Sequence, residues 1–302
     1  MSRAMSQNPE PKRRRALMLV NPNARLAAAP LDAAMQVFAD GGIEVAVERF
    51  GSAAEVSPDI VRRAPGFDLV VVCGGDGTMN AAARGVMETG LPAGLLPMGT
   101  ANDLARTLGI PTDLALAARV IVQGHTRKID VGDVNGHLFF NVASIGLAAD
   151  IARNLTPQTK RRWGVLSYAL TALRTLLFAR RFSATIVTKE GDVKVKTLQI
   201  AVGNGRHYGG GTVIEASAAI DDGYLDLYSL ELSNVLKLAL MFPDFRRGVH
   251  GLWDEVRTHR CTEFEIRTRR PRSINTDGDL VTFTPAYFTI HKAAMSVFTP
   301  QA

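Results

Sequence analysis

Gly74, Gly75, Asp76, Gly77 and Thr78 stand in a row directly after the apolar run 69–73. That order suits a phosphate site. Glycine lets an anion approach the backbone closely, and free N–H groups at a helix start favour negative charge. Asp76 would then help hold Mg²⁺ or orient a terminal phosphate, and a tight strand-to-helix turn without ligand is the plainer alternative. Three further strings place polar groups at turns. In residues 97–103 the Thr100 hydroxyl can bond a phosphate or ribose after Gly99, while Asn102 or Asp103 serves equally well as an ordinary N-cap. In residues 218–226 adjacent carboxylates beside a glycine can bind a hard cation or make a solvated hairpin turn. In residues 274–279 two carboxylates, Asp277 and Asp279, flank a glycine, and one of them can accept the proton of an attacking hydroxyl.

These strings need elements to hold them. The β-branched run 69–73 reads as a strand buried on both faces, with a helix over 78–87 behind it. From residue 15 to about 124, strands at 16–20, 44–50 and 94–97 alternate with helices near 31–40 and 56–63, a pattern that implies a parallel sheet flanked by helices. Ligands of open α/β sheets gather at the carboxyl ends of the strands. Asn21, Pro22 and Asn23, the glycine loop and residues 99–103 all follow strands, so three polar loops converge on one edge. Beyond Lys128 the strand-like segments 128–134, 138–143, 184–189, 194–202, 224–230, 262–268 and 283–291 predict an antiparallel, β-rich second domain. The expected division is a basic flexible tail over 1–14, an α/β domain over 15–130 and a β domain over 131–291, with 292–302 returning to the first.

The chain has 302 residues, 46% hydrophobic and 21% charged, which is ordinary usage for a folded protein long enough for two domains. A formal charge of +6 favours anionic partners such as phosphates, nucleic acid or an acidic membrane face. Part of that charge is the cluster Lys12 to Arg15, a solvated tail or a weak attraction to anionic lipid. No secretory signal is expected, because the cluster leads straight into a strand. Two cysteines, Cys73 and Cys261, suggest neither a disulfide framework nor a zinc site and fit a reducing cytoplasm. Residues 163–178 form the most apolar helical pattern, too short for the roughly 20 residues of a span, and read as a packed amphipathic helix or an interfacial one.

Taken together and in this order, GGDGTMN, GLLPMGTANDLA, NVASIGLAAD, GNGRHYGGG, AAIDDGYLDL and NTDGD resemble the bacterial diacylglycerol kinase and YegS-like lipid kinases, relatives of sphingosine kinases. The resemblance implies an α/β nucleotide-binding domain, a β-sandwich lipid domain, and transfer of the ATP γ-phosphate to a lipid hydroxyl between them. It puts the ATP phosphates on Gly74, Gly75, Asp76, Gly77, Thr78, Met79 and Asn80, with Thr100 and the loop Asn21, Pro22, Asn23, Ala24 and Arg25 completing the site. It makes Asp277 or Asp279 the base, and puts a structural Mg²⁺ on the Asp222 carboxylate and the backbone oxygens of Ala219 and Tyr224. Asp103, Asp130 and Asp150 match acidic positions near the acceptor and metals. Two departures stand out: Ala24 and Arg25 replace a small residue and glycine, and Asp279 stands where the family has Glu. The expected partners are a lipid substrate and, transiently, an anionic membrane surface, not nucleic acid; a homodimer is compatible. The expected place is the cytoplasm, peripheral to the inner membrane face. The alternatives are an NAD kinase, which shares the GGDGT loop, and a non-catalytic lipid or nucleotide sensor.

Overall fold

A computed structural model describes residues 13–22, 31–154, 179–204, 207–208, 212–213, 219–232 and 253–301. Residues 1–12 of the expected tail, Asn23 to Arg25, and the apolar pattern at 163–178 lie outside the described residues, whereas Arg14, expected in the tail, and Arg15 belong to the first strand and donate to the carbonyls of Val122 and Gly66 at 2.9 and 2.8 Å. The first half runs β1 (Arg14–Val20), α1 (Asp32–Asp40), β2 (Ile43–Arg49), α2 (Ala53–Arg63), β3 (Leu69–Gly74), α3 (Asp76–Thr89), β4 (Ala93–Pro97), α4 (Asp103–Thr107) and α5 (Leu114–Gln123). Strands β2, β1, β3 and β4 pair in parallel in that order. β3 and β4 are buried along their whole length because helices cover both faces. α3 lays Met79, Ala82, Ala83 and Val86 on the sheet and stops at Gly90, whose φ of 67° favours glycine.

The second half holds β5 (Thr126–Val134), β6 (His137–Phe139), β7 (Val142–Gly146), α6 (Leu147–Asn154), β8 (Phe182–Thr188), β9 (Gly191–Thr197), β10 (Gln199–Gly203), β11 (His207–Tyr208), β12 (Thr212–Val213), β13 (Leu225–Leu230), β14 (Val256–Cys261), β15 (Glu263–Thr268), β16 (Ser273–Thr276), β17 (Asp279–Phe283) and β18 (Ala286–Phe298). β14, β13, β10, β7, β16 and β17 form a six-stranded antiparallel sheet. It packs on strands β8, β15 and β18, burying Ile145, Ile200, Leu227 and Ile274 against Phe182, Ile266 and Phe288, with the Phe264 and Phe288 rings stacked at 4.9 Å. This is the expected pairing of an α/β unit with a β-sandwich.

One strand ties the two halves together. β18 pairs with β15 through residues 286–289 and with β5 along most of its length, and its end meets β4 in parallel at Val297 and Ala93. A single ten-stranded sheet therefore runs through both halves. Two strands expected to be continuous are broken. The segment 138–143 divides at Phe140 and Asn141, and 194–202 divides at Leu198, where the chain crosses from one sheet to the other. Among the described residues no helix is long and apolar enough to cross a membrane.

Candidate functional site

The glycine loop lies at the carboxyl end of β3 and the first turn of α3, as a phosphate site requires. Gly74 has no room for a side chain, since a Cβ there would come within 2.3 Å of Thr78 Oγ1. Thr78 is buried and accepts a hydrogen bond from Asn21 Nδ2 at 2.9 Å, which fixes the loop after β1 to the glycine loop. The N–H groups of Thr78 and Met79 bond back to the Gly75 carbonyl at 3.0 and 3.1 Å. Those of Asp76 and Gly77 are left to the open side, where the first turn of a helix has no intrahelical acceptors. Met79 is core, not ligand surface.

The loop after β4 packs backbone to backbone on the glycine loop. A Cβ on Gly99 would lie 2.6 Å from Gly75 Cα, so neither loop tolerates a larger residue there. Asn102 sits at φ 50°, a left-handed conformation that Asn accepts, and its amide closes on Gly99 through both N–H and C=O at 2.9 and 3.1 Å. The N-cap expected of Asn102 or Asp103 comes from elsewhere. Asp76 receives the N–H groups of Asp103 and Leu104 at 3.1 and 3.0 Å and so caps α4 across the two loops. A void of about 10 Å³ between them has room for one water at most, so a phosphate bound to this loop would have to lie on its outer side. Thr100 is exposed there, whereas Asp103 is buried and paired with Arg106 at 3.2 Å.

The two carboxylates of the NTDGD string do different things. Asp277 stands at the β16–β17 turn with φ 47°. Its Oδ2 accepts from Phe140 N at 2.7 Å and Asn80 Nδ2 at 3.2 Å, and its Oδ1 accepts from the N–H groups of Asn141 and Val142, each at 3.0 Å. All its lone pairs are engaged. Burial raises the carboxyl's pKa, against the opposing pull of those four donors. The break between β6 and β7 supplies two of these donors, the first residue of β7 a third and Asn80 of α3 the fourth, so Asp277 clasps the β domain to the helix behind the glycine loop. Asp279 is exposed, and its Oδ2 lies 3.5 Å from the point where a Gly77 side chain would begin. It is the carboxylate that faces the loop.

Buried Asn204, which stands in the GNGRHYGGG string without an assigned role there, supports this clasp. Its Nδ2 donates to the carbonyls of Asp130 and Phe140 at 3.1 and 2.9 Å. Only its position in a glycine-rich string hinted at it. Asp130 is itself buried and receives the N–H groups of Gly223 and Ala293, both at 2.6 Å, so its carboxylate pins the 219–224 turn to β18. Asp150 lies on α6, half-buried, where its charge acts on Arg272.

The Asp222 turn does not suit a divalent cation. Asp222 accepts the N–H groups of Ala219 and Tyr224 at 3.1 and 3.0 Å and an ion-pairing hydrogen bond from Arg260, which also approaches Asp226 at 3.5 Å. Arg127 holds the neighbouring Asp221 at 2.5 Å. The Arg260 guanidinium and the Lys292 ammonium lie 4.7 and 5.2 Å from the Tyr224 ring centre. Cationic side chains thus occupy the surroundings a metal would need, and among the described residues no group of three or more His, Cys, Asp or Glu side chains could hold one. A nucleotide-bound Mg²⁺ is a different case, since it needs only one or two carboxylates beside phosphates and water. Asp76 keeps one lone pair on each oxygen and fits that donor set.

The family described as "Diacylglycerol kinase catalytic domain" matches residues 15–134, and that described as "YegS C-terminal NAD kinase beta sandwich-like domain" matches residues 141–299. A Pseudomonas aeruginosa protein named "Probable lipid kinase YegS-like" is 34% identical over 245 residues, 78% of either chain. A Staphylococcus epidermidis protein named "Diacylglycerol kinase" is 28% identical over 78% of this chain and 75% of its own. A crystal structure described as a diacylglycerol kinase from Bacillus anthracis shares the fold with a TM-score of 0.74 at 21% identity, covering 96% of this chain and 98% of that one. A second crystal structure from that organism reaches 0.81 at 24% identity, over 97% and 98%. With both halves matched and a relative at this level of identity, the chain belongs to the diacylglycerol kinase and YegS-like lipid kinase family.

Proposed function

We propose that the protein transfers the γ-phosphate of ATP to the hydroxyl of a diacylglycerol-like lipid, with Asp279 as the general base. The observation that carries this reading is the division of labour between the two carboxylates. Asp277 has no lone pair left for a proton, while exposed Asp279 faces Gly77 at the phosphate loop. A base must first be within reach of the proton it takes. The open N–H groups of Asp76 and Gly77 bind the transferring phosphoryl group, and the acceptor hydroxyl sits between that group and Asp279. The hydroxyl proton passes to an Asp279 oxygen as the hydroxyl oxygen attacks phosphorus and the bond to ADP breaks. Bound Mg²⁺ supplies neutralisation of phosphate charge. Arg106, held by buried Asp103 beside the second loop, adds positive charge near the nucleotide.

The test uses pure protein, labelled ATP, Mg²⁺ and a panel of diacylglycerol, a sphingoid base, phosphatidylglycerol and NAD. Label on diacylglycerol, lost in Asp279→Asn, is the expected outcome. Label on NAD alone would overturn the lipid reading, and no label on any acceptor would leave the sensor.

A further inference from the structure

At one end of the β domain the start of β8, the β15–β16 turn and the end of β17 come together. Thr268 pairs with Ala184 and Ser273 with Phe283, while the Arg272 guanidinium lies 4.0 Å over the Phe182 ring. Thr284 Oγ1 accepts the Arg272 N–H at 2.9 Å, closing the turn onto β17. Lys196 stands opposite Ser183 and Lys194 opposite Thr185 on the adjoining β9. Arg180, Arg181, Lys194, Lys196, Arg269 and Arg270 are all exposed, and none has a carboxylate partner among the described residues. Most acids nearby lie elsewhere or are paired: Glu190 and Asp192 are in the β8–β9 hairpin and Glu263 is beside Lys189 at 2.7 Å, all at the other end, Glu265 in mid-β15 pairs with Arg267 at 2.6 Å, and Asp150 on α6 acts on Arg272. Amid this unpaired positive charge Phe283 leaves 58% of its surface bare.

Unpaired cations around an exposed aromatic ring fit a surface that offers phosphates with an apolar layer beneath. A nucleic-acid duplex, whose bases are already stacked, would meet the charge but leave Phe283 in water. The position of the patch adds a second argument. β17 runs from Asp279 to Phe283, and its four steps span about 13 Å. We propose that this end of the β domain docks on an anionic bilayer, with Phe283 entering the headgroup layer and the arginines and lysines meeting lipid phosphates. The proposal rests on the lipid kinase reading and gives that reading a direction: the acceptor hydroxyl travels along β17 to reach the base.

The test is sedimentation of the full chain, without nucleotide, with vesicles of phosphatidylglycerol and phosphatidylcholine and with vesicles of phosphatidylcholine alone. Binding to the anionic vesicles alone is expected. Arg269→Gln/Arg270→Gln should weaken it roughly 10- to 30-fold, from about 1 kcal/mol per basic residue near an anionic surface. Phe283→Ser should weaken it too, with unchanged melting in both variants. Undiminished binding by both variants, equal binding to neutral vesicles, or tighter binding to a DNA duplex than to the anionic vesicles would overturn the docking face. Phosphorylation of a short-chain diacylglycerol in free solution is read separately. Label there without vesicle binding sinks the docking face alone, and vesicle binding without label on any lipid sinks the kinase reading alone.

Discussion

The separation of Asp277 from Asp279 gives the sharpest prediction, because one isosteric change at each position has opposite consequences. Asp277→Asn keeps shape and suits the left-handed backbone at φ 47°, so it reports the hydrogen bonds and little else. Each carboxylate oxygen serves two donors, but an amide offers one oxygen. The better placement keeps oxygen at the Asn141 and Val142 N–H groups and turns nitrogen toward Phe140 and Asn80. Asn80 can then flip its own amide, whose Oδ1 is buried with no partner, and accept from the new nitrogen. The Phe140 N–H is left orphaned at about 1–3 kcal/mol, and three charge-assisted bonds weaken by roughly 1 kcal/mol each. Relief of a buried charge offsets part of this, leaving a net loss on the order of 3 kcal/mol. At ~2–4 °C per kcal/mol the melting temperature falls by about 10 °C. Asp279→Asn sits at the surface, so stability should change by less than about 0.5 kcal/mol, while kcat falls roughly 10²- to 10⁴-fold. Differential scanning fluorimetry and initial rates on each variant decide the matter. An unmoved melting temperature for Asp277→Asn together with full turnover by Asp279→Asn would refute the assignment.

Gly77→Ala adds a methyl at ordinary contact distance from Asp279 and gains about 1 kcal/mol of helix propensity, so it should fold well yet lose at least about tenfold in kcat to lost acceptor space. Gly99→Ala drives its methyl to 2.6 Å from Gly75 Cα and should instead lower the melting temperature, with loss of nucleotide binding read by calorimetry. EDTA should leave the melting temperature of the parent protein unchanged, because Arg260 already neutralises Asp222, whereas Arg260→Gln should make it rise with added Mg²⁺. Burial pushes the Cys261 thiol up to about 12 and the Cys73 thiol higher still, so both stay protonated at neutral pH. Buried Cys73 should not react with a disulfide reagent until the protein unfolds, and half-buried Cys261 should react only slowly.

Periodicity made the parallel strands, their helices and the β-sandwich legible, because burial on one or both faces writes itself into single segments. The misses share a cause. The break at Phe140 and Asn141 is apolar and polar in the manner of the strand around it, and it exists because three N–H groups turn to a carboxylate more than 130 residues away. No local pattern carries that. Likewise, the cap that Asp76 puts on α4, beside the ligand role its neighbours suggest, depends on a loop 27 residues later. The NTDGD string put Asp277 and Asp279 forward as candidates for the base without separating them, since only the fold decides which oxygens meet donors and which meet Gly77.

The shared sheet explains why that division matters. Phosphoryl transfer depends mainly on positioning and charge, and displacement of a reacting group by about 1 Å can cost ~10²-fold in rate. Here the glycine loop rides on β3 and α3, the proposed base Asp279 stands at the β16–β17 turn, and the two come from opposite ends of the sequence. β18 joins them by pairing with β15 at one end, with β5 on both sides of a bulge and with β4 at Val297, which sets the distance between the halves. The Asn80–Asp277 bond then fixes the orientation of the β16–β17 turn over α3. Asn80→Ala removes that bond and leaves Asp277 its three backbone donors, so the turn stays folded but is freed over α3. Its expected signature is a loss in kcat larger than its loss in stability would suggest, with KM for ATP little changed. An effect confined to the melting temperature would mean that the sheet alone holds the base in register.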